Sequence, residues 1–131
     1  QTINFLKENN VIQHMWNYGD KLKDMMNNIA YDLKIDDKFN VSGPSCSPVY
    51  DTKNNDMKSS PEFRTLFSQE MIKNNVLMPF ITICYRHQHK ELMLTEKAVQ
   101  KSLEIYKKAL NSSVSKYLKG SVIKPVFRKY N

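Results

Sequence analysis

The chain has 131 residues, 40% hydrophobic and 25% charged, a balance that suits one globular domain with a real core. Its net charge of +7 raises the question of nucleic acid, yet the lysines run from Lys7 to Lys129 without a block, the pattern of a solvated surface. The longest apolar run falls well short of the roughly 20 residues of a membrane span. Two cysteines are too few for a disulfide framework, so free thiols in a reducing cytoplasm are expected.

Taken in order, Thr2 to Glu8 reads as the tail of a preceding helix, which makes the chain look like a piece of something longer. Asn9-Asn10 then offers an N-cap for a helix expected from Val11 to Leu33. Met15, Leu22, Met26, Ile29 and Leu33 step by three and four along its buried stripe, and Gly19 on that face predicts a close approach by another element. Phe39–Ser42 and Pro48–Thr52 alternate apolar and polar around the turn chemistry of Gly43-Pro44-Ser45, so they predict two strands. Lys53 to Ser60 is polar and Asn-rich, an exposed loop. Ser60-Pro61-Glu62 starts the next helix, with Ser as N-cap and Pro at the first helical position. Phe63, Leu66, Phe67, Glu70 through its aliphatic stem, Met71 and Ile72 should be buried before Asn74-Asn75 ends it.

Val76 to Tyr85, VLMPFITICY, is the longest apolar run, and its β-branched second half predicts a central strand with Pro79 near its start. A last long helix should begin at Leu94-Thr95 with Thr95 as N-cap and bury Val99, Leu103, Tyr106 and Leu110. Glu104 and Lys108 are spaced for an i,i+4 pair on it. Val114, Tyr117 and Leu118 form a short helical patch, and 120–131 forms an extended tail. The sum is α+β: a small three-stranded antiparallel sheet with three to four helices packed on it, in one domain spanning 1–131.

Few residues invite chemistry. Cys84, His87 and His89 are zinc-compatible types, but only His14 and Cys46 remain to complete four ligands, and alternation sends Cys84 and His87 to opposite faces. The expectation is no metal, an ordinary buried thiol at Cys84 and polar histidines at a strand end. The three glycines, Gly19, Gly43 and Gly120, are isolated, so there is no phosphate-cradling loop. The basic, aromatic tail from Lys124 to Tyr130 could stack on bases; an arm packed on a neighbouring domain or subunit is the reading preferred here.

A family resemblance adds what residues alone do not. Phe63-Arg64-Thr65-Leu66-Phe67-Ser68-Gln69-Glu70-Met71-Ile72, then Asn75-Val76-Leu77-Met78-Pro79, then Tyr85-Arg86-His87, then Thr95 to Leu110 and the ending Ile123 to Asn131 together resemble the C-terminal region of class III aminotransferases. The glutamate-1-semialdehyde 2,1-aminomutase group is the nearest in pattern, and the likeness extends over the long helix with Trp16 and Gly19. The resemblance implies a fold-type-I parent enzyme, a transferase or isomerase that uses pyridoxal 5'-phosphate and works as a cytoplasmic homodimer. It further implies that this chain is the small C-terminal domain, packed over the active site of the large cofactor-binding domain and inactive alone. No catalytic lysine is carried onto this chain, and no cofactor is expected on it. Arg86 stands where the group has a small residue, and Asn75 where its turn has glycine. Arg86 and His87 are the candidate residues at the edge of the substrate pocket, with surface ion pairing as the ordinary role for them. A free-standing basic module for nucleic acid or an acidic partner is the alternative.

Overall fold

The structure is a computed structural model and describes residues 2–124. In chain order it contains α1 (Thr2–Glu8), α2 (Val11–Asp32), β1 (Phe39–Ser42), β2 (Val49–Thr52), α3 (Pro61–Lys73) and α4 (His89–Leu110), followed by a 3₁₀ turn at Val114–Lys116. The class is α+β. β1 and β2 pair antiparallel, with Phe39 opposite Thr52 and Ser42 opposite Val49. Because side chains alternate along a strand, Phe39, Val41, Tyr50 and Thr52 all turn inward and are buried.

Helices α2, α3 and α4 close over that hairpin. Phe39, Tyr50, Phe63, Phe67 and Tyr106 form an aromatic centre, with ring centroids 4.9 Å apart for Phe39 and Phe67 and 4.6 Å for Phe63 and Tyr106. Met26, Leu66, Met71, Val99 and Leu103 fill the space around it and are fully buried. Full burial of one such side chain contributes roughly 1.5–3 kcal/mol, so this cluster dominates the stability. Helix α3 forms as its sequence dictates: the Ser60 hydroxyl accepts the Phe63 amide at 3.3 Å and Pro61 opens the helix. Asn75 leaves it with φ 63°, the left-handed position that asparagine tolerates, and the Val76 amide returns to the Met71 carbonyl.

Several expectations are corrected. Helix α4 starts at His89, six residues before Thr95, and Thr95 is buried inside it. Gln88 precedes its first turn and the Glu91 carboxylate accepts the Gln88 amide at 2.9 Å, a reciprocal cap that needs no Ser or Thr. Asn10 flanks α2 with φ 50° and caps through its backbone alone. Ile72 is 56% exposed, because it lies on the solvent side of α3. Glu104 takes a hydrogen bond from Gln100 at 2.9 Å, not an ion pair with Lys108. Cys84 is exposed. The loop after β2 is exposed from Asn55 to Ser59, as expected, and is also internally bonded: Lys53 bridges to Ser59, and the Asn54 side chain accepts the amides of Asp56 and Lys58.

The largest departure concerns Val76–Tyr85. After a bend at Pro79-Phe80 the segment alternates in burial as a strand does, with Ile81 and Ile83 buried and Phe80, Thr82 and Cys84 exposed. It nevertheless joins no ladder, so the sheet has two strands among the described residues. Pro79 lacks an amide proton, and two side chains claim the carbonyls where a ladder would begin. The Tyr50 hydroxyl sits 3.1 Å and 3.0 Å from the carbonyls of Met78 and Pro79, and the Arg64 guanidinium donates to Pro79 at 2.9 Å. From Phe80 to Ile83 neither amides nor carbonyls have a hydrogen-bond partner among the described residues. Gly120 to Lys124 is irregular, and the rest of the expected tail, 125–131, lies outside the described residues. No helix among the described residues is long and apolar enough to cross a membrane.

Candidate functional site

The extended segment ends in a turn that returns the His87 amide to the Cys84 carbonyl at 3.0 Å. Gly19 determines where that turn sits. A side chain at this position would collide with the Ser45 carbonyl and press on the Ile83 side chain, so glycine lets both the 43–47 loop and the Ile83 segment lie against α2. The loop is fastened there by Lys23, which donates to the Gly43 carbonyl and the Ser45 hydroxyl, and by Asp20, which accepts from Ser45.

One turn earlier on α2, His14 reaches the same segment. Its Nε2 lies 2.9 Å from the His87 carbonyl; a carbonyl only accepts, so Nε2 carries a proton and donates it. The His14 ring packs edge-on to Tyr85 at 5.3 Å, Tyr18 packs against His87 at 5.5 Å, and Phe5 of α1 stands edge-on to Tyr85 at 5.7 Å. His87 is half-buried in this cluster, and its Nδ1 accepts the Cys84 amide at 3.4 Å. Tyr18 is 7% exposed. Burial pushes its phenol above the usual range, with the negative charges of Glu91 and Cys84 adding to the effect, so it remains a hydrogen-bond donor at neutral pH.

Two cavities flank the cluster. One, about 280 Å³, lies between α2 and the start of α4 and is lined by His14, Asn17, Tyr18, Lys21, Gln88, His89 and Leu92. The other, about 440 Å³, is lined by Phe5, Asn9, Tyr85, Arg86 and Gln88. The two residues expected from the sequence therefore part company. Arg86 is exposed on the second cavity and forms no ion pair among the described residues, whereas His87 is held inside the aromatic cluster. A third cavity of about 340 Å³, at the start of α3, holds Asp51, Thr52, Ser59, Ser60 and Arg64. Its polar groups are spent on each other: Ser59 donates to Asp51, Thr52 to the Ser60 carbonyl, and Arg64 lies on the Tyr50 ring at 4.4 Å.

Among the described residues no three of His, Cys, Asp and Glu are grouped as metal ligands, and Cys84, His87 and His89 do not converge. The sequence reading weighed His14 only as a remaining metal ligand, and it did not single out Tyr18 or Lys21. With Asn17 they occupy positions i, i+3, i+4 and i+7 of α2, a polar stripe that could have been found from its spacing. No family model matches the chain, and no curated protein or solved structure matches it.

Proposed function

We propose that this chain is the small C-terminal domain of a cytoplasmic, pyridoxal 5'-phosphate-dependent class III aminotransferase of the glutamate-1-semialdehyde 2,1-aminomutase group. The reading rests on one observation, the ordered run of motifs from Phe63-Arg64-Thr65-Leu66-Phe67 through Asn75-Val76-Leu77-Met78-Pro79 and Tyr85-Arg86-His87 to Leu110. In that setting the domain covers the active site of a large domain within a homodimer, Arg86 and His87 edge the substrate pocket, and the Val76–Tyr85 segment completes a three-stranded antiparallel sheet. Leu77 at 79% exposure and Phe80 at 66% supply the apolar surface that a large domain would cover.

The residues of this chain do not fit the cofactor itself. A Schiff-base lysine is desolvated in a walled pocket, and no described lysine is buried. No catalytic step is therefore assigned to this chain; its part is to position Arg86 and His87 and to exclude water. The test is direct. Pyridoxal 5'-phosphate added to this chain alone should give no saturable Schiff-base absorbance, and specific, saturable formation would overturn the proposal. A gel shift with nucleic acid that weakens steeply with salt would instead favour the basic binding module.

A further inference from the structure

We propose that the cavity at the start of α3 is the docking site of this chain's own residues 125–131, with Phe127 as the side chain that fills it. This inference stands on the described residues around the cavity and does not depend on the enzyme family proposed above. The course of the chain after α4 is the first observation. Gln69 holds it twice: its side-chain amide donates to the Tyr117 carbonyl at 2.9 Å, and its oxygen accepts the Lys119 amide at 2.8 Å. One turn nearer the start of α3, the Thr65 hydroxyl oxygen accepts the Ile123 amide at 2.9 Å. The chain therefore runs antiparallel to α3, and the step from Lys119 to Ile123 covers about one helical turn. The next turn leads to Pro61, the first residue of α3, and the same pace brings residue 127 there.

Pro61 and Ile123 both line the cavity, which holds about 340 Å³. Its polar side chains are bonded already: Ser59 donates to Asp51, Thr52 to the Ser60 carbonyl and Arg64 to the Pro79 carbonyl. The space that remains suits an apolar occupant. Ligand pockets run from roughly 300 to 1,000 Å³, and the low end of that range has room for an aromatic side chain. Ile123 stands at the edge with 47% of its surface exposed, an apolar side chain that an aromatic ring would cover. The sequence that follows supplies this chemistry: Pro125-Val126-Phe127-Arg128-Lys129-Tyr130-Asn131. Val126 and Phe127 match the apolar space, and Arg128 and Lys129 match the acids beside it. Glu62 pairs with no cation among the described residues, and Asp51 has only Lys53, at 3.8 Å. The segment is also tethered at the mouth of the cavity through Ile123. A short tether corresponds to an effective concentration of about millimolar, which favours the chain's own residues over a free ligand or a second copy.

The experiment is nuclear Overhauser spectroscopy on the full, isotope-labelled chain. Cross peaks from the Phe127 ring to the side chains of Pro61 and Ile123 support the docking, and their absence would overturn it. Phe127→Ala should abolish them and shift the amide resonances of Ser60 and Arg64, whereas Phe127→Leu, which keeps an apolar side chain, should keep a contact to Ile123. Phe127 is no part of the described core, so its replacement leaves that core intact. Amides of Ser60 and Arg64 that stay unmoved in Phe127→Ala would also overturn the proposal. A mixture of labelled and unlabelled chains separates the chain's own segment from that of a second copy. Cross peaks confined to the labelled chain support the proposal; cross peaks that pass between the two would put a second copy's segment in the cavity and overturn it.

Discussion

Gly19 shows how much a single missing side chain can decide. Its face of α2 receives the Ser45 carbonyl and the Ile83 side chain in the volume that a Cβ would occupy, and Asp20 and Lys23 hold the loop in place with hydrogen bonds. Gly19→Ala would have to push backbone, not a flexible side-chain tip, so it should destabilise the fold by about 3 kcal/mol. Urea denaturation followed by far-ultraviolet circular dichroism would measure it; a loss no larger than the usual helix propensity gain or cost of under about 1 kcal/mol would contradict the close packing. This position was legible in the sequence, because glycine on the buried stripe of an otherwise regular helix has few other reasons to be there. Cys84 was not. Its apolar neighbours suggested burial, but period-two alternation turns it outward between buried Ile83 and half-buried Tyr85.

Tyr106 does for the elements what Gly19 does for one contact. It projects from the C-terminal part of α4, four residues before its end, and donates to the Lys53 carbonyl at 2.7 Å, with the Lys38 carbonyl at 3.3 Å. Lys38 precedes β1 and Lys53 follows β2, so one hydroxyl ties the helix to both ends of the hairpin. Burial pushes this phenol well above its usual value. A folded pKa above the unfolded one means that the stabilisation is full below about pH 10 and is lost as pH rises beyond it. Tyr106→Phe should cost about 1–3 kcal/mol at neutral pH by stranding the Lys53 carbonyl, and it should flatten the alkaline fall in stability; urea midpoints across the pH range would show both. Helix α3 was readable to its ends because Ser60-Pro61 and Asn75 carry their own punctuation. The start of α4 was missed because its cap is a Gln88–Glu91 exchange, and the third strand was misjudged because Arg64 and Tyr50, distant in sequence, take the carbonyls of Met78 and Pro79.

For the molecule as a whole, class and core followed from local patterns, whereas the site depended on residues that fold together from afar. Arg86 and His87 could be picked out because they end an apolar run. His14 and Tyr18 could be picked out from the sequence only as members of one polar stripe on α2; their partner could not, since only folding brings His14 against the carbonyl of a residue 73 positions later. The open run from Phe80 to Ile83 has a further consequence, for colloidal behaviour. It offers unpaired amides and carbonyls, β-branched side chains and, from Val76 to Tyr85, no charge, which is the profile of a cross-β template. Where nothing covers it, that stretch sets the solubility limit of the chain. Thr82 is exposed there, so Thr82→Lys should act as a gatekeeper: aggregation on warming, followed by light scattering, should be delayed with little change in the urea midpoint. Unchanged scattering would place the origin of aggregation elsewhere on the surface.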